Sequence, residues 1–313
     1  MPKLSIVIPV YYNAESLNDL YEDLLDRVVR KLSDEVEMVF VDDGSGDDSW
    51  AVLQSLAAKD ERVKIIHLSR NFGAHAAILC GLTHSSGDCA AVKAADMQEP
   101  ASIILDMYKS WKRGNHVVLA LREARDDGAI NDALANLNYW IVRRVAIPNL
   151  PKGGFDVYLL DRKVIHVLTD MNETNSVLGG QILWTGFRTG TVSYVRQQRR
   201  HGKSRFTFKK KWKLAMDSIF SFTMFPIRVV TGIGAISFVG SLVFAIVVLI
   251  KWSLGRIGVP GWTTLSIISL FSFSIIMLTL GLLGGYLWRA FESGRNRPLY
   301  IIEDTNIEKK TER

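Results

Sequence analysis

The sequence predicts an α/β domain built on a mostly parallel sheet, followed by two membrane-crossing helices. Three observations carry this expectation. Short β-branched apolar runs alternate with helical segments from the first residues onward, a polar cluster follows each run, and long uncharged stretches lie near the end of the chain. A chain of 313 residues with 48% hydrophobic and 22% charged content can bury one sizeable core and still have apolar length to spare.

The apolar runs lie at 4–10, 36–41, 63–68, 89–94 and 116–121. Their alternation with helical segments is the signature of a parallel α/β sheet. Between the first two, Leu17, Leu20, Leu24, Leu25 and Val28 recur at helical spacing, which predicts a helix over 16–31. A strand that returns through a helix pairs in parallel, and ligands of such sheets gather beyond the carboxyl ends of the strands. Those positions hold Pro9-Val10-Tyr11-Tyr12-Asn13, Asp42-Asp43-Gly44-Ser45, Ser69-Arg70-Asn71-Phe72-Gly73, Ala95-Asp96-Met97-Gln98-Glu99-Pro100 and Arg122. Each piece alone is ordinary turn chemistry, but together on one sheet edge they imply a cleft.

Neither a P-loop nor a dinucleotide fingerprint opens a helix near the first strand, so phosphates in this cleft need another counter-charge. Asp96 and Gln98, two residues apart, offer hard oxygens to a Mg²⁺ or Mn²⁺ whose other positions go to a diphosphate and water. Arg122 adds a bidentate donor for the same diphosphate. Cys80 and Cys89 are the only cysteines, which excludes a disulfide framework and a four-cysteine metal site; both are expected to be reduced and semi-buried.

Residues 229–250 carry no charge, and after a loop with Lys251 and Arg256 a second uncharged stretch covers 257–288. At about 1.5 Å per residue the first gives roughly 33 Å of helix, against a hydrocarbon core of about 30 Å. Lys209, Lys210, Lys211, Lys213 and Arg228 precede the spans, and Arg289, Arg295 and Arg297 follow them. This bias places both termini and the large N-terminal domain in the cytoplasm, on an inner membrane. The chain opens directly with a strand-like run and not with a basic segment and an apolar stretch, so no signal peptide is expected. Much of the +6 net charge clusters at 196–213, which points to anionic lipid headgroups and not to nucleic acid. There Trp212, Ala215, Met216, Ile219, Phe220 and Phe222 interleave with Lys210, Lys213 and Asp217, as in an interfacial amphipathic helix ending at Pro226. Gly281 and Gly285 form a G-x-x-x-G step open to the first span or to a second copy, leaving a homo-oligomer through these helices as one option. The expected organisation is a catalytic domain at 1–205, a juxtamembrane helix at 206–226, two spans within 227–288 joined by a loop at 251–262, and a cytoplasmic tail at 289–313.

The string Ser5-Ile6-Val7-Ile8-Pro9-Val10-Tyr11-Tyr12-Asn13, with Asp42-Asp43-Gly44-Ser45 and Ala95-Asp96-Met97-Gln98-Glu99-Pro100 in that order, resembles the family-2 glycosyltransferases of the GT-A fold. Phe155-Asp156-Val157-Tyr158-Leu159-Leu160-Asp161-Arg162, Trp184-Thr185-Gly186-Phe187 and Arg196 to Arg200 with Gly202-Lys203-Ser204 resemble its polyprenyl-phosphate branch, kin to dolichol-phosphate mannose synthase and bacterial O-antigen-modifying bactoprenol glucosyltransferases. The resemblance implies inverting transfer of a sugar from a nucleotide-sugar to polyprenyl phosphate, with UDP-glucose and undecaprenyl phosphate as the expected pair. It implies that Pro9, Tyr11, Asn13, Asp42 and Asp43 hold the nucleoside, that Asp96 and Gln98 hold the metal and diphosphate with Arg122 beside them, and that Asp96 and Asp156 serve catalysis. Arg200, Lys203 and Ser204 receive the acceptor phosphate on the same grounds, and coupling to a lipid flippase is an associated expectation. Where many members have Asp-Ala-Asp-Leu-Gln, this chain has Ala94-Ala95-Asp96-Met97-Gln98, so Asp96 carries more of the metal's charge. Other donors (GDP-mannose, a UDP-aminosugar), a processive polysaccharide synthase and a non-enzymatic nucleotide-sugar-binding scaffold remain alternatives at this level.

Overall fold

A computed structural model describes residues 1–122, 150–151, 154–171, 177–195, 225–254, 261–295 and 297–307. Its elements run β1 (Lys3–Val10), α1 (Ala14–Arg27), β2 (Glu35–Asp42), α2 (Ser49–Lys59), β3 (Val63–Leu68), α3 (Ala74–His84), β4 (Cys89–Val92), α4 (Ile103–Lys112) and β5 (Val117–Arg122). They continue as β6 (Val157–Asp161), α5 (Arg162–Asp170), α6 (Leu178–Trp184), β7 (Thr189–Tyr194), α7 (Phe225–Ser253), α8 (Trp262–Gly294) and β8 (Ile302–Thr305). The strands form one sheet in the order β7-β5-β6-β4-β1-β2-β3-β8.

Each expected strand is present, and the expected mostly parallel sheet is found. β1 pairs in parallel with β2 and β4, β2 with β3, and β5 with β7. The exceptions are β6, antiparallel to both β4 and β5, and β8, antiparallel to β3. Alternate residues of the strands feed two cores, one on each face. Leu4, Ile6, Ile8, Met38 and Phe40 pack with Leu17, Leu20 and Leu24 of α1, Leu53 of α2 and Met107 of α4. Val7, Val39, Val41 and Ile66 pack with Ala77 and Cys80 of α3 and with Val164 and Leu168 of α5. Burying each such side chain stabilises the fold by about 1.5–3 kcal/mol, which is why the apolar stripe on α1 fixes that helix to the sheet. α3 lies so close to β1 that a Cβ on Gly81 would meet Val7 Cγ1 at 2.4 Å.

Five expectations need correction. The helix expected over 16–31 ends at Arg27, because Val28 leaves helical geometry (φ −122°, ψ −63°) and a 3-10 turn at Val29–Lys31 follows. β4 ends at Val92 and not at residue 94, and Arg122 is the last residue of β5 rather than a loop residue. The two cysteines are fully buried, not semi-buried, and burial pushes the Cys80 thiol up to about 12, so it stays protonated. The segment expected as a tail is in part structural: after α8 the chain returns to the sheet and adds β8 along β3, so the sheet draws on residues beyond 205.

The juxtamembrane helix expected at 206–226 lies outside the described residues except for Phe225 and Pro226, which open α7, where proline is accommodated in a first turn. α7 covers the first uncharged stretch, and α8 covers the second from Trp262 onward. Among the described residues one stretch, Phe271–Trp288, meets the length and hydropathy needed to cross a membrane, with mean hydropathy 1.7 and none of it buried. A Cβ on Gly281, Gly284 or Gly285 would meet nothing within 4 Å among the described residues.

Candidate active site

The carboxyl ends of β1, β2 and β3 are knitted together by side chains of the loops that follow them. Asn13 Oδ1 accepts the Tyr11 N–H at 3.0 Å, and the Asn13 N–H donates to Ser49 Oγ at 3.0 Å. Between them Tyr12 adopts φ +55°, a left-handed conformation that costs energy in a non-glycine residue and persists where neighbours fix it. Ser45 Oγ fixes it, accepting the Tyr12 N–H at 2.9 Å. Glycine is required at position 44: φ is +64° and a Cβ there would stand 2.5 Å from the Arg70 carbonyl carbon, because the loops after β2 and β3 touch.

Asp42 and Asp43 are enclosed, at 0% and 3% exposure, and each carboxylate holds a loop. Asp42 Oδ1 accepts the Ser45 N–H at 3.3 Å and the Ser45 hydroxyl, while Oδ2 takes Nδ1 of His67 at 2.8 Å. Asp43 Oδ1 accepts the Phe72 N–H at 2.7 Å and Oδ2 the Gly73 N–H at 2.9 Å, tying down the start of α3. Burial pushes the Asp43 carboxyl up, partly opposed by those two backbone donors.

Beyond β4, the Gln98 N–H donates to Asp96 Oδ1 at 3.3 Å across Met97, whose φ of +56° is the second left-handed non-glycine residue described. This tight turn keeps Asp96 and Gln98 together, both half-buried. Ser16 Oγ donates to Ala95 O at 3.0 Å and lies 3.1 Å from Asn13 O, joining this loop to the one after β1. Among the described residues no three His, Cys, Asp or Glu side chains converge as a metal cage. Two adjacent oxygens on one turn fit a hard divalent cation that takes its remaining ligands from a diphosphate and water.

Beneath that turn lies a cation that an apolar run concealed. Lys93 is fully buried and its Nζ stands 3.8 Å from Glu99 Oε2, itself 3% exposed. Burial pulls the Lys93 ammonium down, and the charges of Glu99 and Asp96 pull it back up. The available signal was the charge itself: a lysine inside a continuously apolar strand run has to find a partner when the sheet is covered on both faces.

Arg122 and Asp156, assigned separately to diphosphate and acceptor, meet: Arg122 Nη2 lies 3.2 Å from Asp156 Oδ2. The Arg122 side chain is 14% exposed while that of Asp156 is 64% exposed, so the cation is set into the wall and the carboxylate faces the opening. Tyr194, directly across from Arg122 on β7, was missed in the sequence because a single tyrosine in a short edge strand carries no pattern; burial raises its hydroxyl and Glu99 adds to the effect. His67 and Trp50, stacked at 4.8 Å, were missed for the same reason. Pro9 is half-buried at the end of β1. Arg200, Lys203 and Ser204 lie outside the described residues.

With this geometry in place the comparisons with known proteins are informative. The model of Glycosyl transferase family 2 matches residues 5–172, a span that contains the carboxyl-edge residues from Pro9 to Asp156. An uncharacterized glycosyltransferase of Synechocystis sp. is 32% identical over 303 residues, covering 96% of this chain and 95% of that protein. The prophage-derived bactoprenol glucosyl transferase of Shigella flexneri is 32% identical over 306 residues, covering 97% of this chain and 98% of that protein. Among solved structures, glucosyl-3-phosphoglycerate synthase from Mycobacterium tuberculosis superposes with a TM-score of 0.47 at 14% identity, covering 69% of this chain and 80% of that one. The match over more than half of the chain, together with relatives similar along almost their whole length, means that the protein belongs to glycosyl transferase family 2 and is a glycosyltransferase.

Proposed function

We propose that the protein transfers a sugar, with inversion, from a nucleotide-sugar to polyprenyl phosphate at the cytoplasmic face of a membrane, with UDP-glucose and undecaprenyl phosphate as donor and acceptor. The observation that carries this reading is similarity to bactoprenol glucosyl transferases along nearly the whole chain, the apolar helices included. Side-chain exposure on those helices supports the membrane: Ile236 is 76% exposed, Phe271 62% and Leu287 73%. A water-soluble helix buries such a stripe, so α7 and α8 read together as a pair of spans with lipid as their solvent. The basic stretch at 196–213 then lies at headgroup depth, where Arg200, Lys203 and Ser204 meet the phosphate of an acceptor whose tail is in the bilayer.

The loop from Pro9 to Asn13 receives the nucleoside, with Asp42 and Asp43 fixing the walls around it. Asp96 and Gln98 would hold Mg²⁺ or Mn²⁺, which would neutralise charge on the diphosphate leaving group. A phosphate monoester has its second pKa near 6, so the acceptor arrives largely as a dianion and needs no base to attack the anomeric carbon. Asp156, held by Arg122, therefore orients the acceptor and steadies positive charge at the sugar.

The test is incubation of the purified protein with labelled nucleotide-sugars, Mg²⁺ or Mn²⁺ and undecaprenyl phosphate. Label enters the lipid from UDP-glucose; entry from GDP-mannose or a UDP-aminosugar instead would replace the donor, and no labelled lipid with any of them would overturn the reading. Asp156→Asn that is inactive at neutral pH and restored at high pH would replace the orienting role with that of a titrating base.

A further inference from the structure

The network around Asp42 does not end at the site. His67 is the direct cross-strand partner of Asp42 on β3, and its Nδ1 donates to Asp42 Oδ2 at 2.8 Å, since a carboxylate oxygen only accepts. Asp42 in turn orients the Ser45 hydroxyl, which accepts the N–H of left-handed Tyr12 at 2.9 Å. On its other side His67 stacks on Trp50, and its Nε2 lies 3.6 Å from Glu303 Oε2 of β8. β8 also fixes the backbone beneath it. His67 pairs with Asp304 and Ile66 with Thr305, and the register shifts between His67 and Leu68. Asn306 clamps the strand by accepting the Ile65 N–H at 2.8 Å and donating to Val63 O at 3.0 Å, and Thr305 Oγ1 donates to Ile65 O at 2.8 Å. Without β8, β3 would be an edge strand with these groups unpaired.

We propose that His67 is a positioning residue for the donor pocket, acting through Asp42 and Ser45 on the strained loop Tyr11-Tyr12-Asn13, and that the docking of β8 sets it. The donor pocket is then complete only when the chain beyond α7 and α8 has returned to the sheet. A left-handed tyrosine persists only where its surroundings over-determine it, and the relay from β8 to the Tyr12 N–H is such a surrounding. The inference rests on the reading that this loop receives the nucleoside.

The experiment uses the full chain in lipid nanodiscs, with UDP and GDP binding by calorimetry, steady-state kinetics with UDP-glucose, and melting temperature for each variant. His67→Ala raises the Kd of the bound nucleotide and the KM of the donor about tenfold, the worth of one charge-assisted hydrogen bond, with kcat changed less than about threefold. His67→Asn, whose side-chain NH₂ stands where Nδ1 does, recovers most of that loss. Asn306→Ala loosens β8 and raises the Kd by about threefold alone but adds nothing in the His67→Ala background, as expected of two residues in one relay. The proposal is overturned if His67→Ala binds nucleotide within twofold of wild type, if asparagine does no better than alanine, or if the two losses are additive. Wild type that binds neither nucleotide defeats the donor reading itself; wild type that binds nucleotide but glycosylates no lipid defeats only the acceptor, and the binding series still decides the role of His67.

Discussion

At the amino edge of the sheet a buried carboxylate is satisfied by its neighbours, whereas at the carboxyl edge the corresponding carboxylates are turned to holding loops. Glu37 accepts from Ser5 Oγ at 2.6 Å, from the Ser86 N–H at 2.5 Å and from Ser86 Oγ at 2.6 Å, and pairs with Lys3 Nζ at 2.9 Å. Burial pushes its carboxyl up, yet the donors of Ser5, Ser86 and Lys3 outweigh it and hold it below the usual range. Asp43, with a backbone donor for each oxygen, ends above the usual range because burial wins. Glu37 lies on β2 and Asp43 directly after it, and both are enclosed, so depth alone does not set the outcome. The number and charge of the donors does, and Asp43, with two neutral backbone donors, stands at the edge where ligands of such sheets bind.

The comparison breaks most visibly at Lys93. Lys93→Met takes the ion-pair partner at 3.8 Å from the buried Glu99 carboxylate and lowers stability by about 3–5 kcal/mol, while Lys93→Met with Glu99→Gln recovers most of it. Chemical denaturation of both variants checks this, and a neutral Lys93→Met would mean that Lys93 and Glu99 are not an ionised pair. Next in size, Asp96→Ala on the proposed assignment lowers kcat by about 10²–10³ with only the small fall in melting temperature expected from losing the Gln98 N–H contact. A matching fall in stability would make Asp96 a structural residue like Glu37.

The smallest effect is a pair of opposite pH slopes. The folded pKa of Glu37 lies below its unfolded value, so its stabilisation is present above the unfolded carboxylate range and is lost as pH falls through the folded pKa. Glu37→Gln removes that part of the acid loss. The folded pKa of Asp43 lies above its unfolded value of 3.8, so its contribution is full below that value and declines as pH rises through the folded pKa. The stability difference between wild type and Asp43→Asn therefore moves against wild type from acid pH toward neutrality, and melting curves across that range show whether the two slopes have opposite signs.

Much of this was legible in the residues. The runs beginning at Leu4, Val36, Val63 and Cys89 mark strands because β-branched side chains favour the extended backbone locally. The polar residues directly after them mark the ligand edge because a parallel βαβ unit returns every strand in the same direction. The pairing of Arg122 with Asp156 was not legible, since the two are 34 positions apart and each alone fits several roles. Nor was β8: Ile302-Glu303-Asp304-Thr305 has no apolar run, because an edge strand needs only backbone pairing and leaves its central Glu303 and Asp304 exposed.

By itself, then, the sequence determined what short-range physics can determine: roughly where the first five strands lie, which ends carry carboxylates, and that two long stretches near its end carry no charge. Only the tertiary structure decided which groups share a charge or a hydrogen bond. It inserted β6 between β4 and β5, set Lys93 against Glu99, and brought β8 back along β3 beside His67. Those pairings join residues distant in the chain. Their strength comes from burial that exists only once the sheet has closed, and no local pattern of residues records it.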